Sequence, residues 1–456
     1  MKILTTISYY TPYISGLTLH AKRLSEALVK RGFTVTVLTN QHVDNLFSFE
    51  TMEGVSVVRA KPLLKLSKGF LSLDWVVKSF QLVRQIDIVH INLPQFEGVV
   101  PAVFGKLFGK KVLVTYHCEV ILPSGLSNRI IETLLALSNL ATLILADSIV
   151  TYTKDFVFHS KMLHHFPKKI SYIYPPIPIP KIDKRVQSVI RRKITRPEIL
   201  LKPGLKIMRR YGKGRALSNS RALIIGVAAR LSAEKGIEYL LEAIPLLEDK
   251  FKIQNSSRSN RDKITTQNFK VNSAINTPRE RPEALIHLGS DRLQRSGSHD
   301  SPEVEGSVKI VIAGSLNPVG EKAYKEKILK LVEKYKDHIV FLGELAEEEM
   351  GSFYSLLDVL VLPSINSTEA FGMVQVEAMF SGVPVVSSDL PGVRVPIRRT
   401  GMGVIASTQD SSQLARAITT IVKNKKHYIK PKSDIEQEFS LKKTVMLYSN
   451  ILTKSL

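Results

Sequence analysis

The 456-residue chain is 44% hydrophobic and 23% charged, with 22 prolines, a composition that suits two folded domains rather than a disordered or fibrous protein. Its one cysteine, Cys118, excludes an intrachain disulfide and a thiol-based zinc centre. The formal charge of +23 is concentrated, since residues 181–221 hold 14 Lys and Arg against 2 Asp and Glu. Nucleic acid is therefore not the expected partner, and an anionic membrane surface or a phosphate-rich ligand for 181–221 is.

The start, MKILTTISYY, has no long apolar core or small-residue cleavage site, so a cytoplasmic setting is expected. Short β-branched runs then alternate with helical patterns. KILTTIS is followed by a helix over 17–31 with the stripe Leu19, Leu24, Leu28 and Val29, then by TVTVL, DIVHIN, VLVTYH and SIVTYT. Such alternation predicts βαβ units and a parallel sheet. The apolar stretch from Leu134 to Val150 contains Asn139, Asp147 and Ser148 and reads as a buried helix running into a strand rather than a membrane span.

Residues 1–180 thus form a first α/β domain. IDKRVQSVIRRKI follows, with Ile182, Val186, Val189, Ile190 and Ile194 on one helical face and Arg185, Arg191 and Arg192 opposite, a basic amphipathic helix within the segment 181–221. The pattern restarts after residue 221 with ALIIGVAA, a helix from Ile237 to Leu247, VKIVIAG, a helix from Tyr324 to Tyr335, IVFLG, VLVLPS and VPVVSS. Residues 222–440 make a second, similar domain, and a helix over 441–456 is expected to pack back on the first. Within the second domain, 254–307 is polar and poor in apolar runs, the composition of an insert that cannot bury a core.

The chemistry concentrates in Val359 to Gly392. A strand ends at Pro363, Glu369 falls in the following loop, and Glu377 lies on the helix that begins near Gly372. Carboxylates at these places suit sugar or ribose hydroxyls, and the helix start around Gly372 and Met373 suits a phosphate oxygen; a dipole-favouring Glu and a solvated Glu would look the same by spacing alone. In GVAARLSAEKG, Arg230 and Lys235 are cations at a strand-to-helix turn, where a diphosphate leaving group needs positive charge. His117 closes the VLVTYH strand, and Tyr152, Thr153, Lys154 and Tyr174 are further lining candidates. GMG at 401–403 and SLNPVGEK at 315–322 form neither a Walker loop nor a dinucleotide fingerprint. His164 and His165 lack partners at ligand spacing, so no metal is assigned.

Glu369 and Glu377, with seven residues between them in E-A-F-G-M-V-x-V-E-A-M and followed by G-V-P-V-V-x-S-D, resemble the E-x7-E motif of glycosyltransferase family 4. The resemblance covers about residues 1–180 and 222–450. It implies a GT-B fold of two Rossmann-like doubly wound domains facing a cleft, and a retaining, metal-independent transfer from a nucleotide sugar with no cofactor. By the resemblance Glu369 contacts the donor sugar, Glu377 the ribose, and Arg230 and Lys235 the diphosphate, with Phe371, Gly372 and Met373 alongside. Gly343 and Leu345 in FLGEL mark where relatives hold the base, and His117 matches a residue at the donor sugar or reaction centre. Gly16 belongs to the opening loop, where Ser15-Gly16 replaces the family's Gly-Gly. Val395 stands where many relatives have an acid.

The expected acceptor is a glycan or a lipid-linked hydroxyl at the inner membrane face. Two rival readings are a nucleotide-sugar epimerase of the same fold and a nucleic-acid-binding protein on a degenerate enzyme fold.

Overall fold

A computed structural model describes residues 1–66, 69–122, 125–195, 222–251, 307–316 and 322–453. The predicted insert 254–307 and the part of the basic segment beyond residue 195 lie outside the described residues, apart from Ser307.

The first domain is an eight-stranded sheet. Its strands are β1 (Lys2–Thr6), β2 (Thr34–Asn40), β3 (Phe49–Met52), β4 (Val55–Ala60), β7 (Ile88–Leu93), β8 (Lys111–Tyr116), β9 (Ser148–Thr151) and β10 (Ile170–Tyr172), while β5 (Leu64–Leu66) and β6 (Gly69–Leu71) form a separate hairpin. The order is β10-β9-β8-β7-β1-β2-β4-β3, and only the β3–β4 pair is antiparallel. The second sheet, of β11 (Leu223–Ala228), β12 (Val308–Ala313), β13 (Ile339–Gly343), β14 (Val359–Leu362), β15 (Val385–Ser388) and β16 (Gly403–Ala406), runs β13-β12-β11-β14-β15-β16 and is parallel throughout. Every residue of β7 and β14 is buried, as strands covered by helices on both faces must be. In both sheets the order reverses beside the first strand, which opens a crevice at the carboxyl ends.

The helix predicted over 17–31 spans Gly16–Val29 and is capped by Ser15, whose hydroxyl accepts from the Thr18 N–H. The stretch after Leu134 is a helix, Leu126–Leu145, running into β9. The sequence reading of this helix as buried is corrected: only 17% of its most apolar window is covered, and Leu126, Ile130, Leu134 and Leu137 are 78%, 54%, 48% and 58% exposed. Apolar composition marks a helix, and the placement of its neighbours decides which turns they cover.

The basic helix spans Lys184–Thr195. Ile190 and Ile194 are buried, Val186 packs on the core, and Ile182 and Val189 stay half exposed. Asp183 and Gln187 bond Ser352 and Ser355 of the second domain, so much of the apolar face lies on the protein itself while Arg185, Arg191 and Arg192 face solvent. The final helix, Leu441–Thr453, places Val445, Tyr448 and Leu452 among the core residues of β1, β2 and the Gly16–Val29 helix.

Candidate active site

The two carboxyl-end crevices face each other, and ion pairs cross between them. Arg23, on the first helix, is 8% exposed; its Nη2 donates to Glu377 Oε1 at 2.8 Å and its Nε to Glu347 Oε1 at 2.6 Å. Lys22 Nζ reaches Glu347 Oε2 at 3.1 Å, and Tyr354 Oη donates to the remaining Glu377 oxygen at 2.8 Å. At one side of the cleft, Asp155 takes Arg394 through two hydrogen bonds and the Gly392 N–H as a third. Burial pushes the Asp155 carboxyl up, but Arg394 and the Gly392 N–H outweigh it and hold it below the usual carboxylate range.

Two loops of the second domain are stitched together. The Ile365 N–H donates to the Glu234 carbonyl at 3.0 Å. Gly236, at φ +57°, lets the Pro363 carbonyl approach to 2.3 Å from where a Cβ would stand, so a side chain there would drive the loops apart. Lys235 Nζ consequently lies 2.6 Å from Glu369 Oε2. Gly372, at φ +76°, opens the helix Met373–Phe380, and a Cβ on it would meet Leu362 at 2.4 Å. Across the cleft, Gly16 faces this helix start, with the Met373 methyl 3.9 Å from the place of its missing Cβ. Arg230 Nη1 donates to Tyr13 Oη of the first domain at 2.9 Å, with Glu234 3.6 Å from its Nη2.

Arg230 and Gly16 thus lie at contacts between the two domains, through Tyr13 and Met373 respectively, and Lys235 is paired with Glu369 in the loop before the Gly372 helix start. Other predicted residues are placed differently. Glu377 is 5% exposed with both oxygens engaged, so a ribose hydroxyl would have to share it with Arg23. Phe371 is buried in an aromatic cluster with Tyr152, Tyr174 and Phe439, ring centroids 5.5 to 5.9 Å away in tilted or edge-on contacts, so its side chain packs the two domains together. Gly343 ends β13 with its carbonyl accepting the Gly314 N–H at 2.8 Å, and Leu345 packs on the core. Tyr152, Thr153, Lys154 and Tyr174 line a cavity of about 510 Å³ at the β9–β10 edge of the first sheet. Among the described residues, no group of three His, Cys, Asp or Glu is placed to hold a metal ion.

His117 is 2% exposed and fully bonded. Its Nε2 lies 2.9 Å from Asn92 Oδ1, which can only accept, so Nε2 carries the proton and Nδ1 accepts from Tyr152 Oη at 2.5 Å. His20 is completely buried with its ring 4.6 Å from that of His117. His90 bonds Thr115 Oγ1 at 2.8 Å, and Tyr448 Oη lies 3.2 Å from the same hydroxyl. Burial pushes His117 down to about 3, with His90 adding to the effect, and His90 down to about 4; His20 falls well below the ordinary value for the same cause. Glu97 moves oppositely, raised to about 7 by burial. Sequence reasoning missed Arg23, Tyr13, Tyr354 and Glu97, because each acquires its partner only through long-range folding.

These shifts fix a sign. The unfolded histidines bind protons below about 6.5 while the buried ones resist to about 3 to 4, so their stabilisation is lost as pH falls through that window. Glu97, protonated in the fold between about 4.5 and about 7, gains stability over the same descent. We expect the melting temperature to fall from pH 7 to pH 5, and Glu97→Gln to steepen the fall. A flat wild-type profile by calorimetry would contradict the placement of the three rings.

A model described as Glycosyltransferase Family 4 matches residues 14–179, and one described as Glycosyl transferases group 1 matches residues 299–437. An uncharacterized glycosyltransferase of Methanocaldococcus jannaschii is 24% identical over 467 residues, 98% of each chain. The phosphatidyl-myo-inositol mannosyltransferase of Mycobacterium leprae is 38% identical over 88 residues, 19% of this chain and 23% of that one. The Anabaena HepE protein, solved with UDP and with UDP-glucose, superposes with a TM-score of 0.65 at 16% identity and full coverage of both chains. With its two matched domains and its facing parallel sheets, this chain belongs to the family 4 glycosyltransferases and has their GT-B fold.

Proposed function

We propose that the enzyme transfers a hexose from a nucleoside-diphosphate sugar to an acceptor hydroxyl, with retention of the anomeric configuration and without a metal ion. The second domain holds the donor and the first takes the acceptor. The observation that carries the reading is the ion pair that holds Glu369 against Lys235 in the loop before the Gly372 helix start, with Arg230 reaching Tyr13 of the facing domain. A diphosphate gains negative charge as its bond to the anomeric carbon breaks, and two cations with helix-start N–H groups stabilise that charge in a partly dry site. Glu369, with Oε2 on Lys235, presents Oε1 to sugar hydroxyls. The acceptor hydroxyl then attacks from the face the diphosphate leaves, and a diphosphate oxygen takes its proton. The binding of UDP and UDP-glucose by HepE supports a nucleotide-sugar donor.

A lipid-linked acceptor at an anionic membrane surface fits the exposed stripe Leu126, Ile130, Leu134 and Leu137, spaced on one helix face, together with the solvent-facing Arg185, Arg191 and Arg192. Cations near such a surface contribute about 1 kcal/mol each. Co-sedimentation with vesicles should rise with anionic lipid and drop when Ile130 and Leu134 are made Asn. Equal partition of wild type and variant would favour a soluble glycan acceptor.

Glu369→Ala and Arg230→Ala should each lower turnover about a hundredfold, the effect of losing ~3 kcal/mol of transition-state stabilisation, with the melting temperature held near wild type. Near-normal turnover in both would overturn the site. EDTA should leave the rate unchanged, because Arg230 and Lys235 supply the positive charge at the diphosphate; activity lost to EDTA and restored by Mg or Mn would refute metal independence.

A further inference from the structure

The cavity at the β9–β10 edge is walled by elements that lie far apart in the chain. Alternation along the chain at β10 sends Ile173 into the core of the first domain and leaves Tyr172 and Tyr174 on the opposite side, in the cavity wall. The final helix, Leu441–Thr453, buries Val445, Tyr448 and Leu452 and presents Lys443 and Leu447, one turn apart, to the same space. Arg399 and Glu438 of the second domain close it. At about 510 Å³ the cavity has the size of a small-molecule site. None of Arg230, Lys235, Glu369 and Gly372 lines it. Tyr152 and Tyr174 wall the cavity and pack on Phe371, so it touches the donor loop through packed rings and not through that loop's charges.

The charges on these walls do not balance. Asp155 is taken by Arg394 through two hydrogen bonds, and Glu438 by Arg399 at 3.0 Å. Lys154 and Lys443 are left over. Among the described residues neither ammonium has a carboxylate partner, and that of Lys154 lies 5.8 Å from the centre of the Tyr172 ring, whose face attracts it to the cavity wall. Two uncompensated cations beside two aromatic rings and Leu447 suit an anion that carries an apolar or ring-shaped body.

We infer that this cavity is a second ligand site, separate from the donor cleft, and that it takes a small phosphate monoester with a ring-sized body. A phosphate monoester carries about −1.5 to −2 charges at neutral pH, which matches both lysines where a carboxylate matches one. Its body lies on Tyr172 and Tyr174 against Leu447. Because the walls come from both domains, an occupant ties them together at the edge where Arg394 already joins Asp155.

Isothermal titration calorimetry on the full chain saturated with UDP, at low ionic strength, tests it with phenyl phosphate, benzoate and inorganic phosphate as probes. Phenyl phosphate should bind about fivefold more tightly than either of the others, since benzoate lacks the second charge and inorganic phosphate lacks the ring. Lys154→Ala and Lys443→Ala, both at exposed positions, should each weaken it about fivefold, the scale of one partly solvated ion pair. Lys442→Ala removes the same charge one residue away and outside the cavity wall, and should leave binding unchanged. No binding of phenyl phosphate, equal weakening by all three variants or by none, or benzoate bound as tightly as phenyl phosphate would overturn the inference. Binding seen only without UDP would place the probe in the donor cleft and overturn it as well.

Discussion

One buried cation holds the two halves of this enzyme in register. Arg23 is taken out of water between the sheets, a placement tolerable only because Glu377 and Glu347 meet its fork and the Pro176 carbonyl lies 3.5 Å from its Nη1. Removing either side of such a pair commonly costs about 3 to 5 kcal/mol, because the survivor stays buried and uncompensated. The cleft's width therefore follows from a contact between the first helix of one domain and the second glutamate of the signature motif in the other.

Within that frame the second domain arranges its charges by backbone economy. Gly236 permits a carbonyl where a methyl would clash, and the Glu234 carbonyl takes the Ile365 N–H. These two features bring Lys235 onto Glu369 across 134 residues of chain. Glu119 extends the stitching into the first domain, where its N–H donates to the Ser367 carbonyl at 3.3 Å. The loop bearing Glu369 is thus braced from both domains, which fixes the position of its carboxylate.

The first domain is organised differently, around neutral imidazoles. His20, His90 and His117 share one dry region closed by Tyr448 of the last helix, whose hydroxyl lies 3.4 Å from His20 Nε2. Because both His117 nitrogens are committed, the ring is positioned rather than free to shuttle protons. The same dryness that silences the histidines raises the Glu97 carboxyl, so one cause produces two opposite shifts.

Two α/β halves, their strands, the loop placement of Glu369 and the helix placement of Glu377 were legible in the sequence, because hydrophobic period, turn residues and a short contiguous motif are local properties. What only tertiary structure decided is which side chains meet. Arg23 stands 354 positions from Glu377, and nothing in HAKRLSEAL distinguishes a buried interdomain arginine from a solvated one. Likewise Phe371 sits inside the motif yet packs against Tyr152 and Tyr174, His20 is buried, and the helix Leu126–Leu145 is uncovered. Burial depends on what the chain brings back from far away. A sequence read locally therefore specifies each element and its chemistry, while the folded sheets decide which charges lose their water and so which residues share a site.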